Sequence, residues 1–354
     1  MSTLIPSEPA EVTSSWLAEV LGTGVVDVSV TPVGTGQTGA TYRVTPTYSA
    51  GSSGLPDTFI VKLPSQDEAV RQRVAGGYRC EFAFYTEVAD TVSVPLPHCF
   101  HCAIDRDGED FVLLLSDLAP AVQGDQIAGC NPIEARLAVE ALAGLHGPRW
   151  CDPRWLAFTG AMMPKLDADA AKGIGDLAIM AADTTTNVLG ERMTAADRGT
   201  LCEAAALVST WVLLEPHRFS ILHGDYRIDN LLFDTERAKV TVVDWQTMSI
   251  GLPARDLAYF VATSLLPEQR AQTEHKLVGS YREALQLYGV TGYGIDSCWR
   301  DYRLGMLQVP LITTLGFAFS AATERGDDMV LAMLSRGCRA IRELGTLDLI
   351  RELS

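Results

Sequence analysis

The first third of the chain carries the short apolar and β-branched runs that are typical of β-strands. Three such segments predict strands, and they cover residues 25–30, 41–44 and 58–63. A continuous apolar run at residues 111–115 predicts a fourth, buried strand. Between them, apolar positions spaced three and four apart predict a helix that starts after Gly76-Gly77 and continues to about Val88.

Beyond residue 117 the pattern changes to the longer period of helices. Asn131 has the features of an N-cap, with a proline after it and Glu134 in the capping-box position, which predicts a helix to about residue 146. A threonine cap predicts another helix over residues 194–211. Two short β-like runs interrupt the helices, at residues 219–222 and 240–243.

The order of these elements predicts an α+β fold with two domains. We expect a small β-rich domain over residues 1–117 and a larger helical domain over residues 118–354. One uncharged stretch, residues 304–323, is long enough to span a membrane. Its polar residues and glycine favour an enclosed core helix instead, kinked near Pro310.

The charge of the chain restricts the kinds of partner that we expect it to bind. The formal net charge is −16, from 44 acidic and 28 basic side chains, and no cluster of Lys and Arg offsets it. Such a field repels nucleic acid and anionic membranes, so we expect neither as a partner. The N-terminus shows no secretion signal, and the eight cysteines are scattered as free thiols usually are, which predicts a cytoplasmic protein.

The strongest chemical signal is the turn His223-Gly224-Asp225, which follows an apolar strand. Asn230 lies five residues after Asp225. Fourteen residues after Asn230, a second apolar strand ends in Asp244. Phosphoryl transfer needs a carboxylate to orient the attacking hydroxyl, and hard oxygen ligands for Mg²⁺. An isolated His-Gly-Asp is common, but two ordered elements with this spacing are rare.

With these motifs the chain resembles the aminoglycoside phosphotransferase and choline-kinase superfamily. The resemblance implies a bilobal protein-kinase-like fold and transfer of the γ-phosphate of ATP or GTP to a small-molecule hydroxyl. It implies that Asp225 is the catalytic base and that Asn230 and Asp244 are Mg²⁺ ligands. The form Asp244-Trp245-Gln246 looks most like the ecdysteroid-kinase-like and uncharacterised small-molecule kinase branch.

Upstream residues support the resemblance in the expected order. Gly34, Gly36 and Gly39 fit the pattern G-x-G-x-x-G and are followed by a strand, which favours a β-hairpin over phosphates rather than a dinucleotide fold. The alternative is a flexible hairpin loop. Lys62 lies within an apolar strand and needs a counter-charge, for which Glu81 on the next helix is the best candidate. The alternative is a surface lysine on an edge strand.

The resemblance also assigns roles to residues that bind the nucleotide base or support the catalytic loop. Ser116 and Leu118 fall in the segment that holds the nucleotide base through backbone groups, and Ser116 replaces an acidic residue of many relatives, which leaves ATP or GTP open. Asp256 matches a structural aspartate that braces the catalytic loop. The run His98–Cys102 has zinc-ligand residue types, but no second pair follows at finger spacing, and alternation along an extended segment explains it.

Two other functions compete with a small-molecule kinase. A protein kinase would carry Arg where Gly224 stands and a long activation segment, whereas only about eleven residues separate Asp244 from Asp256. An inactive nucleotide-binding module would be expected to lose some of the polar site residues, and all are present.

Overall fold

The computed structural model of the protein describes residues 5–33, 39–49, 54–234, 236, 238–319 and 323–354. The chain divides into two compact units. The N-terminal unit comprises Met1–Asp90, Leu96–Pro120 and the short segment Asp244–Gln246. The C-terminal unit comprises Thr91–Pro95, Ala121–Val243 and Thr247–Ser354. Asp244 and its two successors therefore belong to the N-terminal unit, although the residues on both sides of them in the sequence do not.

In its described residues, the N-terminal unit contains a five-stranded antiparallel sheet and two α-helices. The sheet order is β1-β2-β3-β5-β4. The strands are β1 (Val25–Pro32), β2 (Gly39–Tyr48), β3 (Phe59–Pro64), β4 (Cys99–Ile104) and β5 (Phe111–Ser116), and the helices are α1 (Ser14–Leu21) and α2 (Glu68–Ala83). The predicted strands are all present, because their β-branched and apolar residues suit a half-buried pleated surface.

Alternation along β3 places Lys62 on a defined face of this sheet. Phe59, Val61 and Leu63 are fully buried in one apolar cluster, together with Trp16 from α1. Ile60 packs on the opposite side, against the cluster that contains Tyr78 of α2. Because successive side chains of a strand point to opposite faces, Lys62 lies on the α2 side of the sheet.

The prediction that the second helix starts after Gly76-Gly77 is wrong, because α2 already begins at Glu68. The Asp67 side chain caps it by accepting a hydrogen bond from the Val70 N–H, at 3.1 Å. A Cβ at Gly77 would lie 3.2 Å from the Cβ of Gln246, so glycine permits close packing here instead of breaking the helix. A π-helical turn, Phe84–Val88, continues α2.

The C-terminal unit is mainly helical. Its strands form two small antiparallel groups, β10-β7 and β6-β8-β9, from β6 (Val122–Gln123), β7 (Ser220–Leu222), β8 (Leu231–Asp234), β9 (Lys239–Val242) and β10 (Ser249–Gly251). Its helices are α3 (Pro132–His146), α4 (Ala168–Leu189), α5 (Ala195–Trp211), α6 (Ala254–Ser264), α7 (Pro267–Leu287), α8 (Ile295–Gly305), α9 (Gln308–Phe319), α10 (Glu324–Glu343) and α11 (Thr346–Glu352). The capping box of Asn131 and Glu134 is present at the start of α3.

Every residue of α6 is buried, so this helix forms the centre of the unit's core. We expected a kink near Pro310 in the uncharged stretch after residue 304. Instead, the helix is interrupted at residues 306–307, between α8 and α9. Pro310 lies in the first turn of α9, where its missing N–H has no intrahelical acceptor to lose. In the described part of the chain, no helix is both long and apolar enough to cross a membrane.

Candidate functional site

The turn that follows β7 is held by hydrogen bonds between its backbone and the side chain of Asp256. The Asp256 carboxylate accepts hydrogen bonds from the backbone N–H groups of His223, at 2.6 Å, and Gly224, at 3.1 Å. Asp256 is fully buried on α6 and braces the loop as the resemblance implied. Gly224 has φ 86°, and a Cβ there would lie 2.1 Å from the Thr247 carbonyl oxygen, so only glycine fits.

Three donors hold the carboxylate of Asp225. The Tyr259 hydroxyl donates to Oδ1 at 2.8 Å, and Arg227 Nε and Asn230 Nδ2 donate to Oδ2 at 3.0 Å each. Burial and the charge of Asp225 raise the pKa of Tyr259 well above its usual value, so this hydroxyl stays a donor. The carboxylate that we predicted as the base is therefore fixed in orientation by three donors, one of which is the cationic Arg227.

Two of these three donors were missed in the sequence. Arg227 follows Asp225 by two residues and pairs with Asp229 as well, at 2.9 Å, which a charge pattern alone does not reveal. Tyr259 lies one helical turn after Asp256 on α6, and the spacing of three places both on one helix face. That spacing is the signal that could have found Tyr259 once Asp256 had been assigned.

Asn230 is positioned by its own amide. Its Nδ2 donates to the Asp225 backbone carbonyl at 2.9 Å and to the Asp225 carboxylate, so Oδ1 points away from the carboxylate. Its backbone carbonyl accepts from the Val243 N–H at 3.0 Å. The residue is 6% exposed. This arrangement orients a hard oxygen ligand on a rigid support.

In the N-terminal unit, Lys62 binds two carboxylates rather than one. Its Nζ lies 2.7 Å from Glu81 Oε2, the ion pair that we expected, and 3.0 Å from Asp244 Oδ1. Burial by itself would lower the pKa of Lys62, but the charges of Asp244 and Glu81 outweigh it and raise that pKa. The ammonium is therefore charged throughout the physiological range.

Glu81 also holds the segment that carries Asp244. Its carboxylate accepts from the Trp245 backbone N–H at 3.3 Å and from Gln246 Nε2 at 3.4 Å. The Trp245 ring stacks on Phe84, with centroids 3.6 Å apart. Burial raises the pKa of Glu81 against the opposing charge of Lys62. Asp244 itself has φ 69°, a left-handed conformation that these contacts maintain.

The other predicted site residues have fewer contacts that bear on the chemistry. Ser116 ends β5, and its Oγ accepts from the His98 N–H at 3.0 Å, while Leu118 lies in the loop after the strand. Gly39 begins β2, whereas Gly34 and Gly36 lie outside the described residues. Among the described residues, no group of three or more His, Cys, Asp or Glu side chains is placed so that it could hold a metal ion.

We expect Lys62→Ala and Glu81→Ala each to weaken nucleotide binding, since each leaves the other charge buried with less compensation. The double variant should lose less than the sum of the two, with a coupling free energy of roughly 0.5–3 kcal/mol. The double-mutant cycle is calculated from calorimetric Kd values for the nucleotide, measured on wild type, the two single variants and the double variant. Glu87→Ala, an exposed carboxylate beyond α2, is the control and should not change the Kd. Strict additivity would mean that the two side chains do not act as a unit.

Stability should fall in acid because of His146, which is fully buried between the Tyr281 hydroxyl at 2.7 Å and Asp256 at 3.4 Å. Burial lowers the pKa of His146 below its usual 6.5. Below pH 6.5 the unfolded chain binds a proton that the folded protein does not, so stability decreases as pH falls. The contribution reaches at most about 1.4 kcal/mol per pH unit.

Urea unfolding of wild type and His146→Gln at pH 7.5 and 5.5 tests this expectation. The variant should lose less stability between the two pH values than wild type does. His217→Gln, at an exposed position, should behave as wild type. Equal losses in all three proteins would contradict the assignment.

A strand lysine paired with a helix glutamate, together with a His-Gly-Asp loop whose Asn lies five residues on, defines a protein-kinase-like fold. The sequence model of the Phosphotransferase enzyme family matches residues 29–288. The chain therefore belongs to the phosphotransferase enzyme family. The resemblance to the aminoglycoside phosphotransferase and choline-kinase superfamily is thereby confirmed.

Solved structures agree on the fold. The chain is similar to the Plasmodium vivax ethanolamine kinase Pv091845, with TM-score 0.52 and 11% identity over 90% of this chain and 83% of the other. It is also similar to APH(2″)-IIa in its complex with gentamicin, with TM-score 0.50 and 14% identity over 92% of this chain and 96% of the other. At these identities the likeness establishes the fold alone.

Among curated proteins, the chain is 43% identical over 51 residues to acyl-CoA dehydrogenase family member 10 of Mus musculus, a match to 14% of this chain and 5% of that protein. The chain covers 5 to 10% of the length of the curated relatives that it matches. The similarity to these relatives is therefore confined to a short segment.

Proposed function

We propose that this protein transfers the γ-phosphate of ATP or GTP to a hydroxyl group of a small molecule, with Mg²⁺ as cofactor. The observation that carries the proposal is the ion cluster of Lys62, Glu81 and Asp244. A buried lysine held by a helix glutamate is the device that kinase-like enzymes use to bind nucleotide phosphates. The eight free cysteines support a reducing, cytoplasmic location.

In this proposal Asp225 acts on the acceptor. Its carboxylate orients the attacking hydroxyl and accepts the proton as the new phosphate ester bond forms. Arg227, Asn230 and Tyr259 hold that carboxylate in one orientation, so little reorganisation is needed when the acceptor binds. Lys62 would bind the phosphates of the nucleotide, and the backbone around Ser116 and Leu118 would bind the base.

The donor set fits magnesium. Mg²⁺ in nucleotide sites usually takes one or two protein oxygen ligands and completes its shell with phosphate and water. Asn230, whose Oδ1 is oriented by its amide, and Asp244 would be those ligands. When bound, the ion neutralises charge that develops on the transferred phosphoryl group.

The test is a screen for nucleotide consumption with ATP and with GTP against alcohols, sugars, amino alcohols and aminoglycosides. We expect Mg²⁺-dependent formation of a phosphate monoester from at least one hydroxyl compound, verified by mass spectrometry. Single-turnover nucleotide hydrolysis without acceptor separates an active enzyme from an inert binding module. A protein that binds nucleotide but never cleaves it would overturn the proposal.

A further inference from the structure

A pocket within the C-terminal unit is not used by the proposed reaction. It is lined by the loop around Lys165, the chain after α5, strand β10 and the first residues of α6 and α9. Its water-accessible volume is about 60 Å³, several times the roughly 10–15 Å³ that one water molecule needs. Gln308, in its wall, donates to the Gly224 carbonyl at 2.9 Å, so the pocket adjoins the turn before Asp225.

The charge of the pocket lining is opposite to that of the whole protein. Lys165, Arg218 and Arg255 line it with a single carboxylate, Glu215, in a chain whose formal net charge is −16. Arg218 is neutralised, because it forms ion pairs with Asp301 at 2.7 Å and with Glu215 at 2.5 Å. The other two cations of the lining are Lys165, which is exposed to solvent, and Arg255, which is buried.

Lys165 contacts only a backbone carbonyl and an aromatic ring among the described residues. Its Nζ donates to the Pro216 carbonyl at 2.6 Å and lies 4.6 Å from the centroid of the Phe219 ring. Both contacts hold the ammonium at the edge of the pocket and leave its charge uncompensated by a carboxylate.

Arg255 is a buried cation that forms no ion pair with any residue the structure describes. It is 8% exposed. Its guanidinium lies 4.2 Å from the centroid of the Trp211 ring, and Nη2 donates to the Val212 carbonyl at 3.1 Å. Nε finds no partner in the described part of the chain. The C-terminal carbonyls of α5 supply a partial negative charge, and the charge of the neighbouring Asp256 also favours the cation, but no carboxylate forms an ion pair with the guanidinium and burial still lowers its pKa.

Gly251 leaves the third guanidinium nitrogen uncovered. A Cβ at this position would lie 3.1 Å from Arg255 Nη1 and 3.3 Å from Leu222 Cδ1. Any larger residue would therefore fill the space beside Nη1. Burial lowers the pKa of Arg255 to about 10, so the guanidinium is still charged at neutral pH.

We propose that this pocket binds a small oxyanion, the carboxylate or phosphate group of a metabolite, between Arg255 and Lys165. A guanidinium stacked on an aromatic ring is pre-organised to donate to such a group. The bound anion would supply a directly paired counter-charge, which Asp256 near Arg255 does not form.

Thermal-shift titrations of the nucleotide-free protein with phosphate, sulfate, acetate and succinate, at constant ionic strength, test the proposal. We expect a saturable rise in Tm with at least one of them, and the order of affinities distinguishes a carboxylate from a phosphate ligand. Gly251→Ala and Lys165→Gln should each weaken the apparent Kd by about tenfold or more. Lys172→Gln, an exposed lysine on α4, is the matched control and should leave the Kd unchanged.

The nucleotide site also attracts phosphate, so the titration is repeated in Lys62→Ala. A shift that persists in Lys62→Ala and weakens in the two pocket variants supports the proposal. The proposal is overturned by the absence of a saturable shift, by a shift that Gly251→Ala and Lys165→Gln leave unchanged, or by one that Lys62→Ala abolishes. None of these outcomes depends on whether the protein phosphorylates a hydroxyl.

Discussion

Asp225→Asn should lower turnover by about 10²-fold or more and leave nucleotide binding nearly intact. The amide keeps the size of the side chain and one acceptor oxygen, so Tyr259 or Arg227 retains a partner. It cannot accept the proton of the acceptor hydroxyl, and this loss affects the chemical step rather than binding. Steady-state kinetics with the substrate found in the screen, together with a calorimetric Kd for the nucleotide, separates the two effects.

The matched control for this variant is Asp229→Asn. Asp229 lies four residues after Asp225 and allows the same substitution. It also forms an ion pair with Arg227. Turnover in Asp229→Asn should stay close to that of wild type. Equal turnover in Asp225→Asn and wild type would show that Asp225 is not the base.

Asp244→Ala should abolish the Mg²⁺-dependent part of nucleotide stabilisation. In wild type, a ligand at about 100 times its Kd stabilises the folded protein by about 2.7 kcal/mol. The variant removes a carboxylate ligand that a hard divalent ion needs. Lys62 keeps Glu81, at 2.7 Å, but loses its second carboxylate, so the nucleotide-free variant should be less stable than wild type, and each shift is measured from the nucleotide-free Tm of the same protein.

The measurement is a thermal-shift titration with nucleotide in the presence of Mg²⁺ and again with EDTA. Asp27→Ala removes an exposed carboxylate from β1 in the same unit and should retain the full shift. An undiminished Mg²⁺-dependent shift in Asp244→Ala would mean that Asp244 is not a ligand.

Local patterns determined much of this protein. The spacing of His223, Asp225 and Asn230 lies within one loop, and a loop's own residues decide its turn and its short-range bonds. The apolar strand around Lys62 likewise indicated that its charge needs a partner, and the order and spacing of the elements made Glu81 the best candidate. The cap of α3 was predictable because all its partners lie within four residues.

Only the tertiary structure decided which distant groups share a partner. Periodicity says which face a side chain occupies but not what packs opposite, so Tyr259 at Asp225 and Asp244 at Lys62 were not predictable. The start of α2 was misjudged for the same reason. Glycine weakens an isolated helix, but a Cβ at Gly77 would lie only 3.2 Å from the Gln246 Cβ, so glycine permits this close approach inside the helix.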